Sequence, residues 1–155
     1  MTVTEPTPGA PIVDATDRVA YEAHVPEIMR HLLAVEAEIA RSTLDVGLVH
    51  LVKLRASQIN GCAFCVRMHA AEARRDGETD DRLDHLVVWH HTDDYSAAEK
   101  AAFAWTEALT EPDGAADHGR LRAALREHFD DTAISYLTAA VAMINLWNRV
   151  QISHH

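Results

Sequence analysis

"LVKLRASQINGCAFCVRMHAAEARRDGE", residues 51–78, holds both cysteines of the chain, Cys62 and Cys65, and its reading decides the fold. Its first part continues a helical stripe of Leu44, Leu48, Leu51, Leu54 and Ile59. Asn60-Gly61 stops that helix, because both residues tolerate positive φ. A second helix is expected from about Cys62 to about Arg75, ended by Asp76-Gly77. The Cys-x-x-Cys motif thus lies between two helices and not after a strand, which argues against a thioredoxin-like setting.

Working outward, the apolar period stays near 3.6 and no sustained alternation of period two occurs. "VPEIMRHLLAVEAEIARS" places Ile28, Leu32, Val35 and Ile39 on one stripe of a helix entered through Pro26. Thr79 and two aspartates start another helix, with Leu83, Leu86 and Val87 on its expected apolar face. Ser96-Ala-Ala-Glu99 is a capping box before Phe103, Trp105 and Leu109. After the break "EPDGAAD", Leu121, Leu125 and Phe129 mark a short helix. "DTAISYLTAAVAMINLWNRV" is apolar almost all round, so it must be buried at the centre of a bundle or in a subunit interface. The expectation is an all-α, single-domain helical bundle of about seven helices over residues 18–152. A flexible arm (1–17) and a flexible end (153–155, with His154 and His155) flank it.

The chain has 155 residues, enough for one buried core, and 48% are apolar. Fourteen basic residues against 24 acidic give a net charge of −10. Such a surface repels phosphate backbones and anionic lipid, so neither nucleic acid nor membrane is expected as a partner. No apolar run reaches the roughly 18–20 residues needed to cross a bilayer, and the first residues do not read as a signal peptide. The expected location is the cytoplasm, where thiols stay reduced, so the two cysteines read as reactive before they read as structural.

A Cys-x-x-Cys at the first turn of a helix has a physical logic. Orphan N–H groups and the positive end of the helix dipole stabilise a thiolate there. The second cysteine shares a face with the first, and His69 follows Cys65 at the i+4 spacing where helix side chains meet. An imidazole beside a thiol takes up its proton. Two other readings stand beside this one. The pair can be structural, or Cys62, Cys65, His69 and His50 can supply four zinc ligands. A domain large enough to fold without metal, and the lack of a second ligand knuckle, weigh against zinc, so no metal or cofactor is expected.

The quoted stretch closely resembles the alkylhydroperoxidase D-like branch of the carboxymuconolactone decarboxylase family. The likeness continues through "DRLDHLVVWHHTDDYSAAEKAAFAWTEALT" to "INLWNRV" and covers about residues 20–152. The resemblance implies an all-helical fold assembled as a homotrimer or homohexamer. It also implies peroxide reduction by a thiol pair without metal or haem, with a dithiol reductant as partner. By the same resemblance Cys65 is the peroxidatic thiol, Cys62 resolves it, and His69 joins a proton relay.

Two positions depart from the family pattern. The usual relay glutamate, twelve residues before the first cysteine, is His50 here, and a histidine just before the second cysteine is Phe64. A neutral His50 accepts a proton from His69 less well than a carboxylate does, so a glutamate restored at position 50 is expected to raise a peroxidase rate about tenfold. Two further readings are a carboxymuconolactone decarboxylase-like enzyme acting on a small cyclic acid, and a non-enzymatic helical assembly protein whose thiols sense oxidation. Retention of both thiols argues against the first of these. Trp89, His90 and His91 read as core and solvated residues ahead of a pocket wall. Asn145, Trp147, Asn148 and Arg149 read as packing and interface residues ahead of substrate contacts.

Overall fold

A computed structural model describes residues 16–154, and all regular structure among them is helical. The expected arm lies almost wholly outside the described residues. Eight α-helices follow in order: α1 (Tyr21–His24), α2 (Pro26–Ile39), α3 (Val46–Asn60), α4 (Ala63–Arg75), α5 (Asp80–His85), α6 (Ala97–Thr110), α7 (His118–Arg126) and α8 (Asp131–Ile152). A 3-10 segment, Leu86–His91, follows α5 directly. Seven of the eight match the sequence expectation. The eighth, α1, is a single turn that ends because Val25 precedes proline and is pushed out of helical geometry, at φ −132° and ψ 56°.

Side chains cap the helix starts, at Thr79 and Ser96 as the sequence signals and at three aspartates besides. Asp45, Thr79, Asp117 and Asp130 each accept a bond from a backbone N–H of the following first turn. Ser96 and Glu99 close the reciprocal capping box. Packed inside, α8 meets α3, α6, α2, α4 and α7, and α3 meets α4, α6 and α8. Leu51, Val52, Leu86, Phe103, Leu125, Leu137 and Val141 are fully buried between them. Each such side chain contributes roughly 1.5–3 kcal/mol by leaving water. The long apolar α8 is therefore at the centre of the bundle.

Two expected core faces differ. Of the α2 stripe only Ile39 is buried, Leu32 is half-buried, and Ile28 and Val35 are exposed. α2 packs chiefly against α1 and α8, so part of its stripe meets no other helix. Val87 is exposed as well, because the chain tightens to 3-10 geometry at Leu86. The tightened 3-10 step, kinked at Val88 (φ −118°, ψ 25°), brings Leu86 and Trp89 inward and leaves Val87 outside. Beyond α8, Ser153 and His154 lie against the start of the bundle, with the His154 ring 5.5 Å from that of Tyr21.

Candidate active site

The site is built on the α3–α4 hairpin. Gly61 takes the left-handed conformation, φ 68°, that lets α3 end and α4 begin at once. A Cβ at Gly61 would meet nothing within 4 Å, so the requirement is conformational and not steric. Asn60 donates from its amide to Asn145 Oδ1 at 2.9 Å and to Asn148 Oδ1 at 2.8 Å. Asn148 donates on to Ser57 Oγ at 3.0 Å, and Asn145 to Thr110 Oγ1 at 3.0 Å. Ser57, Thr110, Asn145 and Asn148 are all buried, so this network ties the turn to α8 and α6 by direct side-chain bonds. The packing expected of Asn145 and Asn148 is of this kind.

Cys62 is the N-cap of α4, and its sulfur accepts the Cys65 backbone N–H at 3.4 Å. The two sulfurs are bonded to each other as a disulfide, with Cα atoms 5.3 Å apart. Both cysteines are buried, yet they differ in what they border. Cys65 lines a cavity of about 400 Å³ between α2, α4 and α8. Leu33, Phe64, Met68, Ile144 and Trp147 give that cavity an apolar wall, while Lys53, Glu36, His69, Glu72 and Gln151 supply polar atoms. Glu36 joins the walls by accepting from Lys53 Nζ at 2.7 Å and from Trp147 Nε1 at 2.9 Å. Cys62 stands behind Cys65.

His69 is buried on the same helix, and its Nδ1 lies 2.9 Å from Glu72 Oε2. An ionised carboxylate only accepts, so Nδ1 carries the proton and Nε2 keeps a bare lone pair. That Nε2 is buried and without a hydrogen-bond partner. Burial lowers the His69 pKa below its usual 6.5, with Lys53 and His50 adding to the effect, against the opposing pull of Glu72. A neutral imidazole with its free nitrogen unengaged is the state a proton acceptor needs.

His50 is not in the cavity wall beside Cys65 and His69. It lines a smaller cavity of about 220 Å³, and Glu72 borders both cavities. Its Nε2 lies 2.7 Å from Asp76 Oδ2, and its Nδ1 lies 3.8 Å from Glu72 Oε2. The bond to His50 is the main cause that holds the Asp76 carboxyl below its ordinary range. Glu72 Oε2 thus meets both imidazoles, and Asp76 holds the other nitrogen of His50. Glu72 and Asp76 are the residues that motif reading passed over. Glu72 stands three residues after His69, one helical turn on, so the spacing rule that pairs Cys65 with His69 also reaches it.

Other sequence candidates resolve simply. Trp89 is core, donating to Glu107 at 2.8 Å, and His90 and His91 are exposed. Trp147 borders the cavity, which packing alone did not foretell. A thiolate zinc set is incompatible with bonded sulfurs, but His50, His69 and Glu72 each offer a ligand atom within 4.8 Å of the others. No helix among the described residues is long and apolar enough to cross a membrane.

A model of the carboxymuconolactone decarboxylase family matches residues 26–108. The uncharacterized protein YdfG of Bacillus subtilis is 36% identical over 138 residues, covering 89% of this chain and 94% of that one. Among solved structures, a protein of unknown function from Agrobacterium tumefaciens, described as a putative antioxidant defence protein AhpD, is 38% identical with a TM-score of 0.82. That match covers 89% of this chain and 94% of the other. An alkylhydroperoxidase AhpD core from Ralstonia eutropha, an uncharacterized peroxidase-related protein, is 24% identical with a TM-score of 0.72. It covers 83% of this chain and 68% of its own, and shows the shared fold.

Proposed function

The chain belongs to the carboxymuconolactone decarboxylase family, and from that premise we propose that it is a thiol-dependent peroxidase of the alkylhydroperoxidase D type. The observation that carries the reading is the Cys62–Cys65 disulfide, whose Cys65 side borders a cavity shared with His69 and Glu72. In the reduced protein His69 takes the Cys65 thiol proton, and Glu72 stabilises the imidazolium. The Cys65 thiolate attacks one peroxide oxygen, and the O–O bond breaks. Sulfur becomes a sulfenic acid, and the departing alkoxide takes the proton from His69. Cys62 then condenses with the sulfenic acid, releasing water and forming the disulfide.

A dithiol reductant returns the enzyme to its starting state. Its thiolate approaches through the cavity, attacks Cys65 and expels Cys62, whose sulfur keeps the Cys65 N–H and the start of α4 as stabilisers. The apolar wall, with Phe64 at the rim, favours an organic hydroperoxide over hydrogen peroxide. The test is peroxide consumption with excess dithiol by the wild type and by Cys65→Ser. Turnover by the wild type and none by the variant is expected. A wild type that oxidises once and does not turn over would instead make the thiols a sensor.

A further inference from the structure

The proposed chemistry uses one edge of Glu72 and leaves a second cluster behind it. His50 Nε2 lies 2.7 Å from a carboxylate oxygen of Asp76, so that nitrogen carries the ring proton and Nδ1 holds a lone pair. Nδ1 faces Glu72 Oε2 at 3.8 Å, is buried, and has no hydrogen-bond partner. A buried imidazole nitrogen without a partner is thus aimed at a carboxylate oxygen, an arrangement that a cation shared between them relieves. The same Glu72 oxygen lies 2.9 Å from His69 Nδ1.

We propose that His50, His69 and Glu72 form a binding site for a divalent transition-metal ion of the zinc class, with Asp76 fixing the His50 ring from outside. Donors at about 2.1 Å from a tetrahedral ion stand about 3.4 Å apart, and the observed separations of 2.9 and 3.8 Å bracket that value. Two imidazoles and a carboxylate select zinc and its neighbours over calcium or magnesium. The Asp76 bond to the remaining nitrogen of His50 is the usual outer support of a metal-bound histidine. The nearest cations do not block the site. Lys53 is paired with Glu36 at 2.7 Å, and Arg75 approaches the outer Asp76 at 3.6 Å. Glu72 borders both cavities, which leaves the fourth position open to water or a small ligand. No sulfur takes part. An ion bound here also takes the His69 nitrogen that Glu72 holds. On the peroxidase reading, and resting on it, zinc therefore inhibits turnover.

The binding test needs no peroxide, so its outcome and that of the peroxidase reading are independent. The protein with its disulfide intact is titrated calorimetrically with ZnCl2, and with Co²⁺ followed by visible absorption. One ion per chain is expected. His50→Ala should weaken binding at least 100-fold, and the milder surface change Asp76→Asn about 10–100-fold. Melting curves establish that each variant is folded. The double variant Cys62→Ser/Cys65→Ser and the exposed-site variant His91→Ala should bind like the wild type. The proposal is overturned by absence of saturable binding below about 1 mM. Binding that survives both His50→Ala and Asp76→Asn, or that requires the cysteines, overturns it too.

Discussion

Glu72→Gln isolates the charge behind His69. Glutamine has the same shape and its Oε1 can still accept the Nδ1 proton, so tautomer and ring position are kept. What disappears is the negative charge 2.9 Å from the imidazole, and it matters only once His69 has taken the thiol proton. A hydrogen bond to a charged group contributes about 1.5–3 kcal/mol, and the glutamate side chain is 32% exposed, which places it near the lower end. About 1.5–2 kcal/mol corresponds to a loss of roughly 10–30-fold in the rate of Cys65 oxidation. Stopped-flow measurement on the reduced protein at a single peroxide concentration reads that rate directly. A folded Glu72→Gln variant within twofold of the wild type would refute the relay.

The same geometry reverses the expectation for His50→Glu. A glutamate there would stand between Asp76 and Glu72, adding repulsion where His69 already has its carboxylate, so no gain in rate is expected.

Removing Asn148, which is buried and bonded to both Asn60 and Ser57, should cost about 2–4 kcal/mol and lower the melting midpoint by roughly 5–15 °C in Asn148→Ala. Glu99 should make stability acid-sensitive. Burial raises its pKa, but Arg82 and Ser96 together bring it below the usual 4.5, so its contribution is present above that pH and lost as pH falls through the lower folded value. Denaturant titrations across that window should show a shallower pH dependence for Glu99→Gln, and an unchanged slope would remove Glu99 from the account. The uncovered apolar residues Ile28, Leu33 and Val35 call for a partner surface, and light scattering at micromolar concentration should show a homotrimer or homohexamer. A monomer there would contradict the family-based expectation.

Much of this molecule is legible in its sequence because its signals are local. Gly61, Ser96 and Thr79 announce their turns and caps within four residues, and the helices follow. The thiol pair and His69 are legible for the same reason. What escaped depends on neighbours distant in sequence. Whether Ile28 and Val35 are covered depends on what α2 packs against, which its own period does not say. Val87 was misplaced because a 3-10 turn changes the angular step per residue, and no residue type in "LVVWHH" marks that change. The pairing of His50 with Asp76 crosses 26 residues. It follows only once α3 and α4 are folded back antiparallel around Gly61, when positions about equally far from the turn come together.

The Cys62–Cys65 bond spans three residues of chain, and that short reach has a consequence for how the protein tolerates its own redox history. A cross-link restrains the unfolded chain in proportion to the logarithm of the loop it closes, so this one adds under about 2 kcal/mol, against about 4.7 for a loop of 100 residues. Breaking it releases a single helical turn, while the asparagine network still pins the hairpin from the other side. Electrons can thus enter and leave without loosening the scaffold. On the proposed thiol chemistry, a reducing partner would meet nearly the same surface before and after exchange, and would have to recognise the mouth of the cavity instead of waiting for the domain to open.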